Sequence, residues 1–419
     1  MLDLKRIRQD PDAVRAALVR RGDEAATGLD RVIELDEQAR ALRPRLEELA
    51  AARNRAADLI ATIKRAGESI EVAVAEQRRL AAQEKDLQRR VDAAEADRLA
   101  VLISLPNLPD PSAAPGPDDE LVRTVGEPPV FDFEPRDHLE LAGPLIDIER
   151  GARLSGARFA YLLGELVLLE LALVRWTLEK LRGHGFEPVI PPVLVREQAL
   201  YGTGFLPDTE QQIYSLPEDE LYLVGTSEVA LASLHAEEIL DAGALPLRYA
   251  GFSPCFRREA GAAGKDTRGI FRVHQFDKVE MFSFVPPADS SAEHERILAI
   301  EEEILQELEL PYRVVNIAVS DLGNSAAKKY DCEVYLPSQS RYRELTSCSN
   351  TTDYQARRLN IRMRAERGPE TLHTLNGTAV AVGRTLVALL ENGQQADASV
   401  ELPAVLVPYG APPRLAPAA

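Results

Sequence analysis

The residues from Phe256 to Glu280, FRREAGAAGKDTRGIFRVHQFDKVE, combine arginines, glutamates and aromatic side chains around a loop rich in glycine and alanine. Two β-prone runs joined by a glycine-bearing loop predict an antiparallel hairpin. Arginine suits phosphate because its guanidinium stays charged and donates paired hydrogen bonds, and an aromatic ring offers a stacking face for a base. The alternative is a solvated hairpin with cross-strand ion pairs. The side chains that neighbouring strands would bring to one ligand are Arg257, Glu259, Arg272, Phe276 and Glu280.

This stretch resembles motif 2 of the class II aminoacyl-tRNA synthetases, and its ending HQFDKVE resembles the seryl-tRNA synthetase family. His184 to Val195, HGFEPVIPPVLV, follows a long apolar helix and resembles motif 1, which builds the dimer interface in that family. On its own, the proline pair in this segment could simply close an edge strand. Asn376 to Asn392, NGTAVAVGRTLVALLEN, resembles motif 3, a strand that turns into a helix with Arg384 near the junction. Seryl enzymes often carry Ser-Gly where this chain has Thr378–Ala379.

The resemblance implies a homodimeric ligase that uses ATP to activate L-serine as seryl-adenylate. Serine then passes to tRNA(Ser), and also to tRNA(Sec) where a cell has one. Arg257 and Arg384 are the implied catalytic residues, the first at the α-phosphate and the second at the γ-phosphate and one face of adenine. Phe276 stacks on the other face. The implied ATP-binding residues are Arg257, Arg258, Glu259, Val273, Phe276, Glu344, Leu345, Thr346, Ser347 and Arg384.

A metal site is implied by the segment RYRELTSCSN, in which Glu344 and Ser347 match the family's metal-binding stretch. Oxygen ligands suit Mg²⁺, which usually keeps several waters and bridges phosphates. A buried salt bridge is the alternative role for Glu344 among the surrounding arginines. No zinc is expected, because the three cysteines and six histidines show no paired-ligand spacing.

A predicted strand-to-helix turn in LVGTSEVALASLHAEE carries Thr226, Ser227 and Glu228. Ser227 could cap the helix and Glu228 could favour its positive end. In the family the matching T-x-E contacts the amino acid, and its carboxylate suits an ammonium group. A site selective for serine must also bind its hydroxyl, for which Glu280 and Thr378 offer an acceptor and a donor. The implied serine-binding residues are Thr226, Ser227, Glu228, Glu280, Asn376 and Thr378.

The first hundred residues have a different pattern. Apolar residues from Leu35 to Ile63 and from Ile70 to Leu105 alternate spacings of four and three, which are heptad seams. Two seams separated by a break at Gly67 predict an antiparallel helical hairpin. At 1.5 Å per residue, the first seam would extend about 42 Å. Pro44 is expected to kink the first helix or delay its regular start.

The charge of this arm differs from that of the whole chain. Residues 40–103 carry 13 Lys and Arg against 11 Asp and Glu, whereas the formal net charge of the chain is −18. A relatively basic projection on an acidic protein suits a polyanion, although heptad hairpins also serve as spacers. The family resemblance implies that the arm grips the long variable arm of the tRNA.

The predicted fold class is α+β with three regions. Residues 1–105 form the helical arm, residues 106–120 (PNLPDPSAAPGPDDE) a proline-rich linker, and residues 121–419 the class II catalytic domain. A mainly antiparallel sheet flanked by helices is expected there, without a Rossmann or P-loop site, because no GxGxxG or Walker sequence occurs. The predicted strands are Leu221–Val224, Arg248–Phe252, Val279–Val285, Tyr312–Val319, Cys332–Leu336 and Glu344–Ser347.

Composition sets the remaining expectations. The net charge argues against a general nucleic-acid coat. The charged N-terminus lacks the apolar region of a signal peptide, and the apolar run Leu162 to Val174 is interrupted by Glu165 and Glu170. A cytoplasmic protein with no membrane association is therefore expected.

Two other function classes fit parts of this sequence. One is a synthetase-like ligase that loads an amino acid onto a carrier protein, which loss of the tRNA arm would favour. The other is a non-catalytic scaffold or RNA-binding paralogue, which loss of Arg257, Glu280 or Arg384 would favour. The arm and all three residues are present.

Overall fold

The computed structural model describes residues 1–207, 212–260, 266 and 268–417. It divides into two compact units, one formed by Leu2–Pro106 and the other by Met1 together with Asn107–Ala419. Within the described ranges, no helix has both the length and the apolar character needed to cross a bilayer.

The first unit is helical and contains a long hairpin. Its helices are α1 (Leu4–Gln9), α2 (Pro11–Val19), α3 (Asp23–Ala66) and α4 (Glu71–Ser104). Ion pairs join Arg43 to Glu95 and Arg53 to Glu84, so α3 and α4 run antiparallel, and the predicted hairpin is confirmed. Gly67 ends α3 in a left-handed conformation (φ 76°) that glycine adopts without steric cost.

Pro44 does not delay the start of the first long helix, contrary to one of the two outcomes expected for it. Helix α3 begins at Asp23 and continues through Pro44 to Ala66. Proline has no N–H group, so one backbone hydrogen bond is lost at this point. The apolar contacts of α3 with α4, which bury Ala39 on one side and Leu87 and Val91 on the other, are spread along the hairpin and do not depend on that bond.

A cluster of charges around the buried side chain of Asp36 joins three helices of this unit. Asp36 of α3 is 4% exposed and accepts two hydrogen bonds from Arg8 of α1, both of 2.7 Å. Arg98 of α4 donates a third, of 2.6 Å. The hydrogen bonds from Arg8 outweigh desolvation and, with Arg98, hold the pKa of Asp36 below its usual value. The carboxylate therefore stays charged and fixes the short first helix on the hairpin.

The second unit has an α+β architecture, as predicted. The elements are β1 (Glu120–Val125), α5 (His138–Ala142), β2 (Ile146–Asp147), α6 (Ile148–Ser155), β3 (Tyr161–Leu162), α7 (Glu165–Gly183), β4 (Glu187–Val189), β5 (Leu194–Val195), α8 (Glu197–Thr203), β6 (Ser215–Leu216), β7 (Leu221–Leu223), α9 (Glu228–Ala232), β8 (Ile239–Asp241), β9 (Leu247–Phe256), β10 (Gln275–Val285), α10 (Ser290–Glu307), β11 (Tyr312–Asn316), β12 (Lys328–Leu336), β13 (Arg341–Thr352), α11 (Tyr354–Arg358), β14 (Arg362–Ala365), β15 (Gly368–Thr371), β16 (His373–Ala381), α12 (Val382–Asn392), β17 (Val400–Glu401) and β18 (Arg414–Leu415). Among the described residues, the largest sheet has eight strands in the order β1-β11-β12-β13-β16-β10-β9-β4, antiparallel except for the pair β4 and β9.

Five of the six predicted body strands belong to the large sheet. The sixth, predicted at Leu221–Val224, is β7 and pairs instead with β5 and β6 in a small separate sheet. Strand β16 contains the start of the motif 3 segment and lies between β13 and β10. This central position places residues from motifs 2 and 3 side by side.

Helix α10 packs closely against one face of the sheet. A Cβ atom at Gly377 of β16 would lie 2.3 Å from Ile297 and 2.9 Å from Glu301 of this helix, so only glycine fits there. The neighbours of Gly377 along the strand, Asn376 and Thr378, point to the opposite face because side chains alternate in a strand. That opposite face is left for a ligand.

The proline-rich segment lies along the surface of the second unit. The Asn107 side-chain amide donates to the carbonyl oxygens of Thr351 (2.8 Å) and Ser325 (2.9 Å), and the Asp110 N–H donates to Ala327 (2.8 Å). Prolines fix φ along the segment, and these bonds hold it in place beside β12 and β13.

Candidate active site

A cavity of about 690 Å³ lies on the face of the large sheet opposite α10, over β10, β13 and β16. Its volume is within the range of small-molecule and cofactor sites. Most of the residues predicted to bind ATP or serine line it: Thr226, Glu228, Arg257, Glu259, Val273, Phe276, Glu280, Glu344, Leu345, Ser347, Asn376, Thr378 and Arg384. One cavity thus joins residues from segments more than 150 positions apart in the sequence.

The predicted hairpin of motif 2 is present as β9 and β10, which pair antiparallel with Cys255 opposite Phe276. Phe276, Lys278 and Glu280 share one face of β10 because they are spaced by two, and all three line the cavity. Arg257 and Glu259 lie beyond the end of β9, and Arg272 precedes β10. The expectation that all five motif 2 side chains lie on the strands themselves is therefore wrong for these three.

The loop of this hairpin is described only in part. Residues 261–265 and 267, and with them Lys265, lie outside the described residues. Arg268 pairs with Asp137 at 3.0 Å.

Arg257 is held at the rim of the cavity by two contacts. Its Nε donates to the Gly225 carbonyl oxygen at 3.0 Å, and its guanidinium lies 5.3 Å from the centre of the Phe276 ring. Glu259, which has a left-handed backbone (φ 51°), pairs with Arg272 at 3.1 Å. These contacts fix the directions of both arginines before a ligand enters.

Arg384 lies in the first turn of α12, where motif 3 changes from strand to helix. Its Nη1 donates to the Glu344 carbonyl oxygen at 3.0 Å and lies 3.6 Å from Glu344 Oε1. Desolvation acts to raise the pKa of Glu344, but Arg384, Lys329 and the nearby arginines outweigh it and lower that pKa. Glu344 is therefore ionised inside a strongly positive region.

Phe271 is a cavity residue that the sequence did not single out. Its ring centre lies 4.2 Å from the guanidinium group of Arg343 and 4.9 Å from that of Arg384. Arg343 is fixed in turn by two hydrogen bonds to Asp266, of 3.0 and 2.7 Å. The available signal was an aromatic residue next to Arg272 within motif 2.

The other end of the cavity is acidic and buried. Glu228 Oε1 accepts hydrogen bonds from the side-chain amides of Gln355 (2.7 Å) and Asn376 (3.0 Å). Burial raises the pKa of Glu228 to about 7, and the negative charge of Glu280 acts in the same direction. Gln355 comes from α11 and lies behind the cavity wall, and its contact with Glu228 was not predicted because nothing in its local sequence indicates it.

Lys278 lies beside this acidic end and is a second residue that the sequence analysis did not predict to be in the site. Its Nζ donates to Thr226 Oγ1 at 2.7 Å and pairs with the Glu280 carboxylate. Glu280 stands directly opposite Thr378 in the pairing of β10 with β16. The acidic end thus contains two carboxylates and one ammonium group, all less than 9% exposed.

A β-bulge at Leu345 decides which residues of β13 reach the cavity. Cys332 pairs with Thr346 and Glu333 with Glu344, so Leu345 is the extra residue of β13. In a regular strand, residues 344 and 347 would point to opposite faces, and the bulge corrects that mismatch. Glu344 and Ser347 therefore both line the cavity.

Three predicted residues are not brought to the cavity. Thr346 points to the α10 side of the sheet, where its hydroxyl donates to Glu301 at 3.0 Å. Ser227 is fully buried in the turn before α9 and does not line the cavity, and the Arg258 side chain is exposed outside it. The alternation of side chains along strand β13 explains the position of Thr346.

The donor set at Glu344 and Ser347 fits a magnesium ion that is shared with phosphates. A carboxylate and a hydroxyl supply two oxygens, and Mg²⁺ commonly takes few protein ligands. Throughout the described part of the chain, no three or more His, Cys, Asp or Glu side chains are arranged to hold a metal by themselves. Any ion here would depend on ligands supplied by the nucleotide.

Two family models match this chain. The seryl-tRNA synthetase N-terminal domain matches residues 1–109, and the tRNA synthetase class II core domain (G, H, P, S and T) matches residues 213–393. The chain is also 51% identical to the serine–tRNA ligase of Streptomyces coelicolor over 416 residues, which cover 98% of this chain and 97% of the relative.

Solved structures agree with this similarity. The seryl-tRNA synthetase from Pyrococcus horikoshii complexed with ATP superposes with a TM-score of 0.94 and 41% identity, with all of both chains covered. The cytoplasmic serine–tRNA ligase from Naegleria fowleri in complex with AMP gives a TM-score of 0.87 and 33% identity over 97% of this chain and 96% of the other.

Proposed function

Because the chain belongs to the seryl-tRNA synthetase family and is an ATP-dependent serine–tRNA ligase, we propose that the cavity over β10, β13 and β16 is where it makes seryl-adenylate. The observation that supports this proposal is the separation of charged groups between the two ends of the cavity. One end presents the guanidinium groups of Arg257, Arg272 and Arg384, and the other presents the buried carboxylates of Glu228 and Glu280. ATP fits the first end, and an amino acid fits the second.

The proposed chemistry uses no side-chain nucleophile. The serine carboxylate attacks the α-phosphorus of ATP in line, pyrophosphate leaves, and seryl-adenylate remains bound. A ribose hydroxyl at the 3′ end of the tRNA then accepts the serine. Arg257 binds the α-phosphate, while Arg384 binds the γ-phosphate and stacks on adenine opposite Phe276. Catalysis is positioning and charge stabilisation by groups already fixed by Gly225, Glu344 and Phe271.

Serine is recognised by charge and by hydrogen bonding. Two carboxyl groups, those of Glu228 and Glu280, stand beside the single ammonium group of Lys278, so the α-ammonium group of serine finds a carboxyl partner at this end. Glu280 and Thr378, opposite each other on β10 and β16, bind the serine hydroxyl. Alanine leaves both groups unmatched, which costs about 1–3 kcal/mol per group.

Mg²⁺ would be held by Glu344 and Ser347 together with the phosphates of ATP. When bound, it supplies positive charge that neutralises the leaving pyrophosphate. Glu344 also orients Arg384 through its backbone carbonyl, so one residue positions two phosphate-binding groups.

Three further properties belong to this proposal. Residues 40–103 of the α3–α4 hairpin, which carry 13 Lys and Arg against 11 Asp and Glu, bind the long variable arm of tRNA(Ser), and also of tRNA(Sec) where that tRNA is present. The chain works as a cytoplasmic homodimer whose interface includes α7 and the segment after β4, where Leu168, Leu171 and Ile190 are 47%, 57% and 82% exposed. A ligase for a carrier protein would have no use for such an arm.

Amino-acid-dependent exchange between ATP and pyrophosphate tests the assignment. With a panel of amino acids, we expect exchange with serine and at least tenfold less with alanine, about the effect of one unmatched buried group. Exchange should require Mg²⁺ and continue in the presence of a zinc-selective chelator. Equal exchange with serine and alanine would show that the acidic end of the cavity does not bind the amino acid as proposed.

A further inference from the structure

Lys278 is buried at the serine end of the cavity, between the side chains of Thr226 and Glu280. It is 6% exposed, and its neighbours are each 2% exposed. Its Nζ donates to Thr226 Oγ1 at 2.7 Å and pairs with Glu280 Oε2. Burying a lysine is costly unless its charge is matched. The two residues that contact the Lys278 ammonium group, Thr226 and Glu280, also face the proposed substrate.

The hydrogen-bonding capacity of Thr226 is almost used up by these contacts. A hydroxyl has two acceptor lone pairs and one donor hydrogen. Thr226 Oγ1 accepts from Lys278 Nζ and also from the backbone N–H of Glu228 at 3.2 Å. Both acceptor positions are therefore occupied, and only the hydroxyl hydrogen remains. Thr226 can donate to a substrate oxygen, but it cannot accept a hydrogen bond from the ammonium group.

Contacts within the protein also determine which carboxylate and amide oxygens at this end remain available to accept hydrogen bonds from the substrate. Glu280 Oε2 pairs with Lys278, which leaves Oε1 for the substrate. Glu228 Oε1 is used by Gln355 and Asn376, which leaves Oε2 of Glu228 and the amide oxygen of Asn376 as acceptors for the ammonium group. Donor and acceptor positions around the amino acid are thus separated in space.

We propose that Lys278 is a specificity-determining positioning residue, which keeps Thr226 as a donor and orients the Glu280 carboxylate as an acceptor so that serine is distinguished from alanine. Lys278 acts through these two residues and touches no reacting atom. This inference rests on the proposed assignment of the acidic end to serine. It adds the requirement that the ammonium group of serine goes to Glu228 and Asn376 and that a serine oxygen faces Thr226.

Exchange kinetics of the intact enzyme with serine and alanine test this role. Lys278→Met keeps the length of the side chain and removes its charge. We expect the ratio of kcat/KM for serine over alanine to fall about tenfold to a hundredfold, through a higher KM for serine, while the KM for ATP stays within about twofold. Lys180→Met is the matched control, because Lys180 is also ion-paired and only 10% exposed but lies outside the cavity. It should leave the ratio unchanged.

A second pair of variants tests the hydrogen-bond assignment even if Lys278→Met does not fold. Thr226→Ser keeps the donor and should stay within about threefold of the parent KM for serine, whereas Thr226→Val should raise that KM at least tenfold. Equal effects of the two substitutions would overturn the donor role of Thr226.

Glu280→Gln separates failure of this inference from failure of the site assignment. If Lys278→Met keeps the serine-to-alanine ratio while Glu280→Gln loses it, the role of Lys278 is wrong and the assignment stands. If both keep it, the acidic end does not bind serine. If Lys278→Met raises the KM for ATP as much as that for serine, Lys278 is only structural and the proposal is overturned.

Discussion

Glu228 shows how burial sets the chemistry of a single residue in this cavity. Its carboxyl group is removed from water and lies near Glu280, and the pKa is raised to about 7 although Gln355, Lys278 and Arg257 act to lower it. In the free enzyme near neutral pH, Glu228 is therefore partly protonated. An ammonium group placed against it favours the ionised form, so binding of serine should release a proton.

The pH dependence of serine binding follows from this state. A raised pKa means that the ionised carboxylate is present above about pH 7 and is lost below it. We expect the KM for serine to rise by up to about tenfold per unit as pH falls below 7 and to level off above it. Exchange kinetics between pH 5.5 and 8.5 would measure this, with the KM for ATP as the internal control. Glu228→Gln should remove the dependence, and a serine KM that stays flat in the parent enzyme over this range would contradict the proposed role.

At the level of elements, the charged cluster around Asp36 holds the helical unit together. Asp36→Asn keeps the shape of the side chain and leaves Arg8 and Arg98 without their countercharge. Because Arg8 is 40% exposed, water screens part of the loss, and we expect the opening free energy of the arm helices to fall by about 2–3 kcal/mol. Amide hydrogen exchange of α3 and α4 in the intact chain would measure it. Asp86→Asn breaks an exposed pair with Arg89 and should change the same quantity by less than about 0.5 kcal/mol.

The same cluster predicts how the arm responds to acid. The pKa of Asp36 is lowered in the folded state, so its stabilising effect is fully present above the unfolded pKa and is lost as pH falls through the folded value. The arm of the parent protein should therefore lose stability below about pH 4, and Asp36→Asn should lose less over that interval. Parallel acid curves for the two proteins would contradict this assignment.

At the level of the whole molecule, the two compact units suggest a division of labour. Every residue of the proposed adenylate site lies in the second unit. Arg43 and Glu95 are in contact across the hairpin, so residues 44–94 can be replaced by a short Gly-Ser turn without stretching the chain. We expect serine-dependent exchange to stay within about twofold, because the site is untouched. Aminoacylation of tRNA(Ser) should fall about a hundredfold or more, because the phosphate contacts of the arm are lost.

Reversing one charge in an arm of full length tests the same tRNA-binding role as the shortened arm, without removing any of the helices. Arg78 is exposed on α4, and Arg78→Glu should weaken tRNA binding modestly and reduce its dependence on salt concentration. A shortened arm that abolishes exchange, or that aminoacylates tRNA as well as the parent, would refute the division between the two units.

The local sequence was sufficient to predict secondary structure wherever an apolar pattern repeats or a motif is continuous. The heptad seams predicted α3 and α4 because apolar residues at a spacing of 3.5 must share one face of a helix. The β-prone run that ends in HQFDKVE predicted a strand, and the spacing of Phe276 and Glu280 by an even number of residues is sufficient to put them on one face of it. Lys278 has the same spacing and could have been included on that ground.

Tertiary structure alone decided the features that depend on distant or irregular contacts. The bulge at Leu345 turns Glu344 and Ser347 to one side, and it arises from the pairing of β13 with β12. Gln355 and Phe271 enter the site only because α11 and the end of the motif 2 loop are folded over it. The raised pKa of Glu228 likewise comes first from its burial in the folded protein and then from Glu280, which is 52 positions away in the chain. Sequence spacing determines which residues share a face of one element, whereas the partners of that face are set by how the elements pack.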